Sequence, residues 1–153
     1  MELDIQLEKY LEDYIKIQNS FDFISLGGSL PLMIYGYIPF RKIKDFDIIS
    51  TQYIDKNEII YKAFNILPPK YPVKGNHITY NKHKFDLYIN PKATYNFIFF
   101  EGYNLRLSPL EEILFFKSYH LNKEKTKEDF KTLINTINNL VKYPINYKGY
   151  LIL

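Results

Sequence analysis

The segment Asp45-Phe46-Asp47-Ile48-Ile49 constrains this chain more than any other. Its residues favour a strand, and side chains alternate along a strand with period two, so both carboxylates fall on one face. Two like charges so close raise each other's cost of ionisation, and a divalent cation between them would relieve it. Phe46, Ile48 and Ile49 are expected to anchor the opposite face in a core. The strand is therefore expected to be buried on one side and charged on the other.

Upstream, the apolar run Phe23, Ile24, Leu26 breaks at Gly27-Gly28-Ser29. A short apolar helix then stops at Gly36, and a basic turn of Arg41, Lys42 and Lys44 leads into the acids. Ser29 is placed to cap that helix, and Pro31 falls in its first turn, where a missing N–H does no harm. A helix start beside two glycines offers backbone amides and room for a phosphate. Taken alone, Gly-Gly-Ser reads as a tight turn with no ligand; ahead of Asp45 and Asp47 it reads as a phosphate seat. Arg41 and Lys44 stand between a solvated turn and a role in neutralising a leaving group.

The rest of the chain supplies a scaffold. Leu3, Leu7, Leu11, Tyr14 and Ile15 recur at helical spacing, and Asn19-Ser20 ends the pattern before a buried strand from Phe21 to Leu26. Asp55-Lys56-Asn57-Glu58 has the form of a capping box opening a helix with Ile59, Ile60, Phe64 and Leu67. Pro68-Pro69 and Pro72 force an extended connection. His77 to Tyr80 and Lys84 to Ile89 form a hairpin about Asn81-Lys82. In it, Asp86 is expected to share a face with Lys84 and Tyr88, opposite Phe85, Leu87 and Ile89.

A second hairpin, Phe97 to Phe100 with Tyr103 to Leu107, turns at Glu101-Gly102. Ser108-Pro109-Leu110-Glu111 opens a helix expected to run to about Leu121. Thr126 begins the last helix, whose stripe is Phe130, Leu133, Ile134, Ile137, Leu140 and Val141. A Tyr-rich tail follows Pro144 and ends in Leu151-Ile152-Leu153, docked on the core or on a partner. The expected architecture is α+β: a mixed sheet with helices on one side, residues 1–107 forming the core and 108–153 a small helical part packed on it as one domain.

Composition closes off several alternatives. With 153 residues and 46% hydrophobic content the chain can bury one core, not two. It has no cysteine, so disulfides and thiolate metal sites are excluded. His77, His83 and His120 lack a ligand spacing, so zinc is not expected, and His83 and His120 read as surface residues. The acidic, amphipathic N-terminus is unlike a targeting peptide and no apolar run approaches membrane-spanning length, so a cytoplasmic protein is the expectation. A net charge of +3 permits an anionic partner without requiring one. The basic, aromatic stretch from Tyr71 to Lys84 could stack and pair with nucleic acid, although a Tyr-rich chain yields such clusters by chance.

The order Gly27-Gly28, Tyr35-Gly36, Arg41, Asp45-Phe46-Asp47 and then an apolar-flanked Asp86 resembles the nucleotidyltransferase (polymerase-beta-like) superfamily. The nearest branch is the minimal AbiEii-type group of toxin-antitoxin systems. The resemblance covers most of the chain, with its specific motifs between Gly27 and Asp86. Ile43 stands where that branch has Ser or Thr. In the C-terminal part Lys117 is similar to a site-facing lysine of the family, and of an Arg-x-Lys-Asp pattern only Asp129 and Lys127 fit.

The resemblance implies transfer of a nucleoside monophosphate from a nucleoside triphosphate, with Mg²⁺ or Mn²⁺, to a hydroxyl on RNA, protein or a small molecule, and a cognate antitoxin as a partner. Asp45 and Asp47 would bridge two metal ions, and Asp86 would complete the attacking-side ion and accept the proton. Gly27, Gly28 and Ser29 would hold the triphosphate, with Arg41, Lys44 and Lys117 around it. Two other readings remain open: a nucleotidyltransferase fold without catalysis acting as an interaction, regulatory or structural module, and an α+β scaffold whose acids are incidental.

Overall fold

The computed structural model describes residues 5–43, 46–67, 75–118, 127–128, 130–132, 134–135, 146–147 and 150–151. Four helices are described in full, α1 (Ile5–Ser20), α2 (Ser29–Ile34), α3 (Lys56–Phe64) and α4 (Leu110–Ser118). Six strands, β1 (Ile24–Gly27), β2 (Phe46–Ser50), β3 (His77–Tyr80), β4 (His83–Ile89), β5 (Asn96–Phe100) and β6 (Tyr103–Leu107), form one mixed sheet in the order β3-β4-β2-β1-β6-β5. Two further short strands, β7 (Asn146–Tyr147) and β8 (Tyr150–Leu151), pair with each other. The chain is thus α+β around a six-stranded sheet, as its element order implied.

Helix α1 forms where the apolar spacing predicts it, burying Tyr10, Leu11, Tyr14 and Ile17. Tyr10 lies 4.3 Å from the ring of Phe46 and 6.0 Å from that of Phe85, which fixes α1 over β2 and β4. Helix α3 covers the same face, with Phe64 stacked on Tyr80 at 3.7 Å. It begins at Asp55, whose carboxylate accepts from the Asn57 amide at 2.7 Å, and ends at Asn65 in the left-handed region. Leu67, assigned to this helix by its spacing, lies beyond that stop and is exposed. A left-handed residue turns the next side chains off the helical face, so the periodicity ends there.

Helices lie on both faces of the sheet, not on one. On the face opposite α1, Phe116 of α4 meets Tyr88 of β4 edge-on at 5.1 Å. The reason is visible in β4, where Asp86 and Leu87 are consecutive, point to opposite faces and are both buried. Alternation alone forecasts one wet face, and α4 removes it locally.

Both hairpins turn at the expected residues. Asn81 and Lys82 have φ of 51° and 66°, and Glu101 and Gly102 have 49° and 87°, the two successive positive values of a two-residue turn matched to strand twist. His83, expected at the surface, is buried. It bonds through Nδ1 to Asp13 Oδ2 at 2.6 Å and stacks on Tyr10 at 3.9 Å. The paired carboxylate and the ring together satisfy what would otherwise be a costly buried polar group.

The expected helix from Thr126 is described at seven residues, all helical, with Phe130 and Ile134 buried and Lys127, Glu128 and Lys131 exposed. Leu3, His120, Asp129, and the stretch from Pro68 to Lys74 lie outside the described residues. No described helix is long and apolar enough to cross a membrane.

Because Lys82 pays a side-chain penalty at positive φ, Lys82→Gly is expected to stabilise the protein by about 0.5–1 kcal/mol, and Lys82→Val to destabilise it. Midpoints of urea unfolding check both signs.

Candidate active site

The central strands bring the singled-out residues into one row. β1 and β2 are antiparallel with Gly27 opposite Asp47, and β2 and β4 are parallel with Asp47 opposite Asp86. β4 in turn pairs antiparallel with β3, placing His77 opposite Asp86. Directly paired residues on neighbouring strands share a face, with strands about 4.8 Å apart. Gly27, Asp47, Asp86 and His77 therefore form a line across four strands on the face that carries α4.

Each position in that line has a local cause. On β2, Phe46, Ile48 and Ser50 turn to the α1 face while Asp47 and Ile49 take the other. Ile49 was expected on the core side with Ile48, but the strict period of two puts it beside the acid. There it lies under the glycine turn: a side-chain carbon on Gly27 would stand 2.9 Å from Ile49 Cγ1. At Gly28, φ is 76°, and a β-carbon would come 2.7 Å from Asp47 Oδ2. Gly28 thus leaves the space in which the Asp47 carboxylate sits, and Gly27 the space for Ile49.

Ser29 does not cap α2, contrary to expectation. Gly28 occupies the cap position with no side-chain bond, and Ser29 is the first helical residue. Its hydroxyl instead receives two cations: Arg41 Nη2 at 3.2 Å and Lys117 Nζ at 3.1 Å. Lys117 reaches it from α4 and is itself buried, at 8% exposure. Gly28, Ser29, Arg41 and Lys117, separated widely in sequence, are therefore assembled at one end of the acid row. α4 is held there partly by Tyr35, whose hydroxyl donates to the Ser108 carbonyl at 2.9 Å. Burial first, and the Glu111 charge beside it, push the Tyr35 phenol up, while a bond from Asn96 pulls it down, the net leaving a neutral donor.

A cleft of about 190 Å³ adjoins Gly28, lined by Gly27, Gly28, Asp47, Tyr88, Asn90, Glu112 and Phe116 among others, while Ser29, Arg41, Lys117 and Asp86 stand outside its lining. Its floor is the acid face of the sheet and its wall is α4. Asp86 is buried at 7% exposure and hydrogen-bonds through Oδ1 to Nδ1 of His77. Ile89, expected to be core, is instead 41% exposed and lines this cleft. His77 was not singled out by the sequence. Counting outward equally from the Asn81-Lys82 turn pairs it with Asp86, so the register was the available signal.

Lys44 and Asp45 lie outside the described residues, and so does Asp129. Among the described residues no three His, Asp or Glu side chains come close enough together to ligate an ion. Asp47 and Asp86 make a pair of oxygen donors in adjacent register, to which Asp45 is a neighbour in sequence. Lys127 is exposed.

Gly28→Ala is expected to cost on the order of 1–3 kcal/mol, from positive φ and the approach to Asp47 together. The double variant Gly28→Ala/Asp47→Gly is expected to recover the contact part alone. A thermodynamic cycle from denaturant unfolding separates the two parts.

Set against models of known protein families, curated proteins and solved structures, the chain matches none of them.

Proposed function

We propose that this chain is a metal-dependent nucleotidyltransferase, moving a nucleoside monophosphate from a nucleoside triphosphate to a hydroxyl acceptor. The observation that carries the reading is the in-register pair Asp47 and Asp86 beside the Gly27-Gly28 turn, with Arg41 and Lys117 converging on Ser29. The acids stand in register on the strands, and the cations meet on Ser29, next to the Gly28 turn that packs on Asp47. That is the distribution a polyphosphate with its counter-cation requires.

The donor set fits a hard divalent ion: carboxylate oxygens, with no thiolate in the chain. Asp47 and Asp86, with Asp45, would hold Mg²⁺ or Mn²⁺, which supplies charge neutralisation and polarisation of phosphoryl oxygens. The other roles fall to the chain. Lys117, buried and fixed by Ser29, presents a cation in a site of low dielectric, where it neutralises phosphate charge more strongly than in water. Arg41 adds a second cation from the loop before β2. Asp86, hydrogen-bonded to His77, would accept the proton of the attacking hydroxyl. Gly28 keeps a side chain out of the space beside Asp47.

A second reading, a nucleotidyltransferase fold serving as an interaction or regulatory module, draws on Ile43 and on the partial match around Lys123 to Asp129. The acid pair and the cation cluster are its main difficulty, because a module without ligand has no use for either.

Mg²⁺ or Mn²⁺ with a nucleoside triphosphate is expected to raise the melting temperature, by the equivalent of about 2.7 kcal/mol at a hundredfold excess over the dissociation constant. Asp47→Asn should abolish the gain, and Lys117→Met should weaken it. Mass spectrometry of RNA and protein after incubation with each labelled triphosphate identifies the acceptor. Identical melting curves with and without the ligands would favour the module.

A further inference from the structure

Strand β5 is an edge of the sheet, and its sequence Asn96-Phe97-Ile98-Phe99-Phe100 carries no charge. Edge strands are ordinarily guarded by lysine, proline, a bulge or a covering element, since their outward N–H and C=O groups template further pairing. Among the described residues no strand pairs with the outer side of β5. Phe97 and Phe99, alternating with the half-buried Ile98 and Phe100, are 60% and 76% exposed, and Tyr95 beside them is 40% exposed.

The register with β6 fixes which backbone groups point outward. A two-residue turn at Glu101-Gly102 makes Phe100 and Tyr103 the hydrogen-bonded pair that closes the hairpin. Hydrogen-bonded and non-hydrogen-bonded pairs then alternate, so Phe100, Ile98 and Asn96 bond inward to β6 while Phe97 and Phe99 turn their N–H and C=O to the open edge.

We propose that this edge pairs with the same edge of a second copy of the chain, β5 antiparallel to β5 about a two-fold axis through Ile98. The segment is its own complement in that arrangement. Phe97 of each copy falls opposite Phe99 of the other, and both residues have their backbone groups free to exchange, giving two hydrogen-bonded pairs. Directly paired side chains share a face, so the four exposed rings meet as one cluster, and the two Ile98 residues meet on the other face. No charge opposes a like charge along the strand. The contact is isologous and closes at the dimer, because β3, the other edge, is a different sequence.

The exposed parts of the four rings amount to roughly 500 Å², taking about 200 Å² per phenylalanine. With the backbone edges and Tyr95 added, the contact reaches about 1,000 Å², the low end of specific interfaces. The dimer is therefore weak and concentration-dependent, and it stands independently of the reading of the cleft.

Sedimentation velocity across the micromolar range is expected to show monomer passing to dimer. Phe97→Lys and Phe99→Lys, each at an exposed side chain, should weaken association about thirtyfold or more while leaving the melting temperature of the monomer unchanged. Phe97→Pro removes an outward N–H and should act the same way. Because the chain has no cysteine, Ile98→Cys supplies a unique cross-link. On the two-fold axis the paired α-carbons stand about 4.5 Å apart, within disulfide reach, so this variant should oxidise to a covalent dimer. A monomer at every concentration overturns the proposal, as does a dimer that survives Phe97→Lys and fails to cross-link through Ile98→Cys. Dimerisation that begins only after residues 145–153 are deleted overturns it too, by making the chain's own tail the occupant.

Discussion

The pairing of β2 with β1 on one side and β4 on the other is the constraint from which the rest of the molecule follows. β1 and β2 run antiparallel and β2 and β4 parallel, so the register decides which three residues stand abreast. In that register Gly27, Asp47 and Asp86 coincide. A slip of one residue in either ladder would turn one acid to the opposite face, under α1 and α3, where Phe46, Ile48 and Phe85 are buried. The core on that face therefore specifies the register, and the register specifies the acid row. Hydrophobic burial, which has no direction of its own, becomes positional information through the period of the strand.

The opposite face has a different economy. It is apolar at Ile49, Tyr88 and Phe116, charged at Asp47 and Asp86, and roofed by α4. Lys117 is drawn in with that helix and held by Ser29, next to Arg41. Two cations at a neutral hydroxyl and two carboxylates in adjacent register are each unfavourable alone. The acids follow Gly27 in register, and the cations meet on Ser29, two residues further along the chain. The sheet supplies rigidity for the acids, while the cations arrive from a loop and a helix that pack on it.

Away from the cleft, two buried polar side chains are held by partners distant in sequence, although Arg106 Nε itself is buried without a hydrogen-bond partner among the described residues. His83 and Asp13 form a bonded pair beneath Tyr10, and Arg106 threads its guanidinium to the carbonyls of Gln18 and Phe21 at the end of α1. These bonds tie the first helix to β4 and β6, elements far from it in sequence. With the bonds of the Gln18 side chain to the Asn104 carbonyl and the Arg106 amide, they act as fixed points for a helix whose buried face is mainly apolar.

Much of this was legible in the residues alone. The helix over Leu7 to Tyr14, the Asp55 cap, both two-residue turns and the β-strand carrying Asp47 follow from local rules: spacing, capping chemistry and the need for positive φ. Period two also implied the placement of Ile49 beside the acid, although its apolar character argued for the core. What local rules do not contain is which strands neighbour one another. Leu67 ended outside its helix, His83 went inside, Ser29 took cations in place of a cap, and α4 covered the second face of the sheet. Leu67 was turned out by the left-handed Asn65 just before it, and the other three were decided by partners distant in sequence. The sequence by itself determined the elements and the chemistry available to each, because those depend on nearest neighbours along the chain. Only the tertiary structure decided that Gly28 and Asp47 line one cleft, that Arg41 and Lys117 meet on Ser29 next to Gly28, and that Asp86 stands abreast of Asp47 and bonded to His77, because strand order and helix placement depend on how the whole apolar surface is buried at once.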